Sequence, residues 1–187
     1  MGRDLRIIDP EAIYHVIPVG SDKGPIAWDS HDFESLLADM AKAVVRYRWE
    51  VFAWCVMTTH YHLVFRAPKG GFSAGLQLLN GNHSRRTNRR HGRIAHLFKN
   101  RPFAIQVESD AHLVAAIRYA VRNPLAAGLC EHASHWAYSS YRATVGQTAA
   151  PPWLNLETLH ELFGGPEGFA RLVHDGHLPV SDTSGSR

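Results

Sequence analysis

The stretch from Trp49 to Ala67 constrains the fold more than any other part of the chain. Its two halves, Trp49 to Met57 and His60 to Ala67, are rich in apolar, β-branched and aromatic residues, and only Thr58-Thr59 separates them. They read as two antiparallel strands joined by a tight connection. A hairpin in this position needs further strands and a covering layer to bury its faces. Upstream, Ile13-Tyr14-His15-Val16-Ile17-Pro18-Val19 has strand composition, and Gly20 to Pro25 is turn chemistry. Ser30 reads as the N-cap of a helix in which Phe33, Leu36, Leu37, Met40, Val44 and Tyr47 recur at helical spacing.

Downstream of the hairpin, Pro68 to Gly71 breaks the pattern, and Phe72, Leu76, Leu79 and His83 mark one side of a second helix ending near Gly92. Gly75 and Gly81 inside it each cost about 1 kcal/mol relative to Ala. Phe103 to Glu108 alternates like a fourth strand. A third helix, capped by Ser109 or Asp110, runs to Arg122 or Asn123, where Pro124 is expected to stop it. The order strand, helix, strand, strand, helix, strand, with a helix added, predicts an α+β fold: a ferredoxin-like split βαβ antiparallel sheet with packed helices. Beyond it, Leu156, Leu159 and Leu162-Phe163, then Phe169, Leu172 and Val173, predict a helical C-terminal appendage. The expected boundaries are 12–130 for the main domain, 131–178 for the appendage packed on it, and 179–187 for a flexible Ser-rich tail.

His60 and His62 stand in the third strand, where a period of two sends both imidazoles to one face and Tyr61 to the other. Bare His-x-His also occurs in all-β cupins, which the helices exclude, and in large barrel hydrolases. Charge narrows the field. The net charge of +3 hides an acid-free run between Glu50 and Glu108 that holds Arg66, Lys69, Arg85, Arg86, Arg89, Arg90, Arg93, Lys99 and Arg101. That segment carries +9 and the remainder, with 11 basic against 17 acidic side chains, carries −6. A polyanion is the natural partner, nucleic acid above all, and Arg85, Arg86, Arg89, Arg90, Arg93, Lys99 and Arg101 are the expected contacts to it. No apolar run is long enough to span a bilayer, and the first residues have no signal-peptide core, so a cytoplasmic protein with no membrane partner is expected. Cys55 and Cys130 have no metal or redox spacing.

Several separated segments resemble a known family: His60-Tyr61-His62, the basic helix to Arg90, His96-Leu97-Phe98 with Arg101, Arg118-Tyr119-Ala120-Val121-Arg122-Asn123-Pro124, and Trp136-Ala137-Tyr138-Ser139-Ser140-Tyr141-Arg142. Together, over roughly residues 12 to 145, they resemble the single-tyrosine HUH transposases, most closely the REP-associated tyrosine transposase branch. The resemblance implies that His60 and His62 hold a divalent cation, Mg²⁺ or Mn²⁺, against a phosphate of single-stranded or hairpin DNA, and that Tyr119 attacks the phosphorus to give a 5′-phosphotyrosine. Asn123, one helical turn after Tyr119, is then the candidate third ligand. The implied activity is single-stranded DNA nicking and strand transfer. Two alternatives stay open: hairpin binding without cleavage, and a metal-dependent hydrolase for another substrate. Many members carry Pro-Asn before the first histidine, where this chain has Thr58-Thr59. His15, His83, His91, His96 and His112 are expected on the surface, in loops or facing phosphates, with His112 the one that could assist Tyr119. The aromatic residues from Trp136 to Tyr141 are expected to pin their segment to the core, and the chain leans towards a monomer.

Overall fold

The computed structural model describes residues 8–99 and 101–175. Four strands, β1 (Ile13–Ile17), β2 (Glu50–Val56), β3 (Tyr61–Arg66) and β4 (Phe103–Val107), form one sheet in the order β2-β3-β1-β4 with every pairing antiparallel. α1 (Ser30–Tyr47) connects β1 to β2, α2 (Phe72–Arg90) connects β3 to β4, and α3 (Asp110–Ala126) follows β4. This is the split βαβ arrangement with an added helix. The appendage contains a short turn of helix, α4 (Tyr141–Thr144), and two helices, α5 (Leu156–Phe163) and α6 (Gly165–Asp175). The expected tail 179–187 lies outside the described residues. No helix among the described residues is long and apolar enough to cross a membrane.

Strand alternation divides the work between the two faces of the sheet. Tyr14, Tyr61 and Phe65 point towards α2: Tyr14 and Phe65 each meet the Phe72 ring with centroids 5.1 Å apart, and the Tyr61 hydroxyl donates to Asn80 Oδ1 at 2.8 Å. α1 packs on α2 on this side. The opposite face carries His15, Val64, His62 and Cys55, and α3 lies across it, burying Ile117, Ala120 and Val121. The histidine pair therefore faces α3 rather than the basic helix.

Two local expectations change. Asp29, not Ser30, caps α1, its carboxylate accepting the Asp32 N–H at 3.2 Å; its extended backbone leaves Ser30 as the first helical residue. Pro124 does not end α3, which runs to Ala126. Its missing N–H falls in the last turn, where one absent bond costs little, and its buried ring is retained by packing.

The C-terminal segment closes the outer edge of β2. Ser140 N–H donates to Trp54 O and Val56 N–H to Tyr138 O, both at 2.9 Å, and Asn155 N–H donates to Val51 O at 2.8 Å. Trp136 Nε1–H donates to Val56 O at 2.9 Å, Tyr138 stacks on Phe33 with centroids 4.3 Å apart, and Tyr141 is buried. These aromatic residues pin the segment to the core. α6 is tied to α3: Arg118 Nε donates to Leu172 O at 2.8 Å and Arg122 to Val173 O at 3.0 Å, satisfying carbonyls at a helix end. At the other edge of the sheet β4 stays open, with Phe103 60% and Ile105 48% exposed on the face that also bears His15.

Candidate active site

His62 lies in β3 opposite Cys55, and His60 sits just before the strand, bridged to Val19. Their Nε2 atoms face each other at 3.1 Å. The other nitrogen of each ring is also held: His60 Nδ1 is 3.1 Å from Thr59 Oγ1, and His62 Nδ1 is 3.0 Å from His15 Nε2. Thr59 thus holds the His60 imidazole at the ring nitrogen that faces away from His62. α3 brings the remaining groups: the Asn123 side chain approaches both His60 and His62, near enough to favour the charged form of each ring. One turn earlier, the Tyr119 ring stands edge-on to His62 and His15, with centroids 5.3 Å and 6.0 Å away, and is 57% exposed. An apolar helix face normally buries its tyrosine; here the ring stands over two imidazoles and faces solvent.

Electrostatics keep the imidazoles neutral. Burial, then repulsion from His15 and His60, pushes His62 down to about 2, against the opposing Asn123 contact. Burial also lowers His60, and burial followed by repulsion from His112 lowers His15 to about 4. Neutral imidazoles are the form that ligates a cation.

The donor set fits a divalent ion. Two imidazole nitrogens, each about 2.1 Å from an ion and at right angles about it, stand about 3 Å apart, in keeping with the observed 3.1 Å. Among the described residues no group of three His, Cys, Asp or Glu is arranged to hold a metal, and the polar side chain that α3 brings to the histidine pair is the Asn123 amide. Two nitrogens and an amide oxygen, with water filling the remaining positions, suit Mn²⁺ and accommodate Mg²⁺.

The basic residues separate into two groups. Arg86 pairs with the buried Asp39 carboxylate at 2.8 Å and donates to Ser35 O, and Arg90 spans Asp29 and Asp32, so both tie α2 to α1. Arg85 contacts Asn82 on its own helix, Arg93 lies 5.2 Å over the Trp28 ring, and Arg85, Arg89, Lys99 and Arg101 are exposed. None of the α2 residues lines the histidine face, because α2 covers the opposite one. A groove of about 680 Å³ runs between α2 and residues 94–99, 101 and 102, lined by Asn80, Ser84, Asn88, His96, Lys99 and Arg101 among others.

Two histidines depart from the expected surface roles. His83 is fully buried, its Nε2 2.7 Å from Ile26 O, and joins α2 to the segment after β1. His15 is 5% exposed and touches both His62 and Tyr119. Alternation within β1 assigns His15 to a sheet face, but only the register, in which His15 opposes Val64, shows that this is the face of His62.

The sequence model of the family described as IS200-like transposase matches residues 10–123, and the chain belongs to that family. No curated protein sequence matches it. Among solved structures, a REP-associated tyrosine transposase bound to a REP hairpin aligns with a TM-score of 0.64 at 17% identity, covering 81% of this chain and 89% of the other. tRNA(His) guanylyltransferase from Saccharomyces cerevisiae aligns with a TM-score of 0.50 at 10% identity, over 98% of this chain and 85% of that one. At these identities the likenesses concern the fold.

Proposed function

We propose that this protein is a metal-dependent single-stranded DNA endonuclease and strand transferase that acts at hairpin or palindromic repeat DNA through a 5′-phosphotyrosine. The observation that carries the reading is the convergence of His60 Nε2, His62 Nε2 and the Asn123 side chain beneath an exposed Tyr119. His60, His62 and Asn123 hold the cation, which when bound polarises the scissile phosphate and offsets charge on the departing oxygen. Tyr119 Oη attacks phosphorus in line: the Oη–P bond forms, the P–O3′ bond breaks, the phenolic proton passes to solvent, and the 3′-oxygen takes one up. The ester bond energy is conserved in the phosphotyrosine, so a 3′-hydroxyl can reverse the step and rejoin strands.

Substrate capture falls to the acid-free segment, with Arg85, Arg89, Arg93, Lys99 and Arg101 as phosphate contacts and the groove beside α2 as a path for the strand. Hairpin DNA as the partner is supported by the structural relative that holds a REP hairpin. Ligands and nucleophile come from one chain, so the reading calls for no second copy. The test is incubation with single-stranded hairpins taken from beside the gene, with Mn²⁺ or Mg²⁺. A covalent protein–DNA adduct on a denaturing gel, abolished by Tyr119→Phe and by chelation, is the expected result. Hairpin binding with no adduct would replace this reading with a non-cleaving DNA-binding protein.

A further inference from the structure

His15 contacts His62 at the ring nitrogen that does not face His60. Both partners are imidazoles, and each neutral ring has one N–H and one lone pair, so their 3.0 Å approach admits two directions of donation. If His15 Nε2–H donates to His62 Nδ1, the His62 proton sits on Nε2 and points at His60 Nε2, 3.1 Å away. His60 then keeps its proton on Nδ1, towards Thr59 Oγ1 at 3.1 Å. Every contact in that chain has one donor and one acceptor. A cation cannot enter it, because the His62 Nε2 lone pair is absent.

If instead His62 Nδ1–H donates to His15 Nε2, both Nε2 lone pairs converge on one point. Without a cation they repel; with one they are its ligands. We infer that His15 is a positioning residue that donates to His62 in the metal-free protein and accepts from it when a cation binds, so that each state keeps its hydrogen bond. The inference rests on the cation-binding reading above. On cation entry the His62 proton leaves Nε2 and one is taken up at Nδ1, His15 makes the reciprocal exchange from Nε2 to Nδ1, and solvent carries both protons with no change in net charge. His15 suits the role because its strand is held on both sides, by β3 at Val64 and by β4 at Ile105, and because its side chain is buried. Its ring also meets that of Tyr119, so it touches both ligand and nucleophile. A partner that only accepts would stabilise one tautomer alone; a side-chain amide, which can present either atom, would serve in both.

The experiment measures Mn²⁺ affinity in the full chain for wild type, His15→Phe and His15→Gln, with metal-free thermal unfolding as the fold control. In His15→Phe the cation-bound state leaves the His62 Nδ1–H buried without an acceptor, a heavier loss than the unpaired lone pair of the metal-free state, so Mn²⁺ binding is expected to weaken about 10- to 100-fold, while His15→Gln stays within about threefold of wild type. Long-range ¹H–¹⁵N spectra of the wild type should show His62 moving from the Nε2–H to the Nδ1–H tautomer on addition of Mg²⁺. Wild-type affinity in His15→Phe, equal weakening in both variants, or an unmoved His62 tautomer overturns the inference and leaves the cation site standing. A wild type that binds no Mn²⁺ overturns the cation reading itself.

Discussion

Two glycines in the same helix should respond to alanine with opposite signs. Gly75 and Gly81 both lie within α2, and helix propensity alone makes either substitution stabilising by about 1 kcal/mol. At Gly75 a Cβ would overlap Trp49 Cζ2 and lie 2.8 Å from Cη2 and 3.0 Å from Cε2, whereas carbon atoms rest about 3.5–4.0 Å apart. The indole cannot step aside, because it is 2% exposed and packed on the Phe65 ring with centroids 4.2 Å apart. Overpacking of this kind costs about 1–3 kcal/mol, and the severity of the overlap points to the upper end. Against the propensity gain, Gly75→Ala should lose about 1–2 kcal/mol. At Gly81 the new Cβ meets only the far end of the Arg85 side chain at 3.3 Å, which can move, so Gly81→Ala should gain up to about 1 kcal/mol. Urea unfolding of the two variants beside wild type reads both, and in a chain of this size each kcal/mol shifts Tm by about 2–4 °C. A Gly75→Ala variant as stable as Gly81→Ala would refute the claim that Trp49 fixes the glycine.

The arginines of α2 should separate in the same way. Arg85→Ala with Arg89→Ala is expected to flatten the salt dependence of single-strand binding by about 0.7 in log–log slope for each phosphate no longer neutralised. Arg86→Ala should leave that slope unchanged and lower stability by about 3 kcal/mol, since it strips the main partner from the buried Asp39; salt titrations and urea melts distinguish the two, and the reverse pattern would refute the division. Acid should weaken the clamp between α1 and α2. The Arg90 hydrogen bond holds Asp29 down to about 2, and although burial raises Asp32, hydrogen bonds from the Trp28 N–H, His91 and Arg90 leave it below its ordinary value. A carboxylate depressed in the folded state contributes stability above its unfolded pKa of about 3.9, and that contribution fades as pH falls towards the folded value. The stability read from urea melts should therefore fall as pH drops below about 5 in wild type, and fall less in Arg90→Leu; equal falls would refute the assignment.

The strands and helices that frame the site were legible because each repeats its apolar residues over a distance shorter than the element itself. The hairpin around Thr58-Thr59, the three long helices and the split βαβ order follow from such local periods. So does the shared face of His60 and His62. What the chain did not disclose depends on partners remote in sequence. Arg86 and Arg90 look like spare cations until α1 is laid beside them and Asp39, Asp29 and Asp32 are seen to meet them. His15 and His83 look like surface histidines until the register of β1 and the docking of α2 give them buried partners. Pro124 reads as a stop because proline rules describe helix interiors, whereas its packing is decided by the core.

Tyr119 and Asn123 project from adjacent turns of one helix, and Arg118 and Arg122, interleaved with them, grip the end of α6. The Tyr119 ring is therefore not an independently hinged group. Any tilt of α3 that carried Tyr119 away from the histidines would also draw Asn123 off them and pull on the C-terminal helix. Approach of the tyrosine and of Asn123 to the histidines is mechanically a single movement, braced by α6.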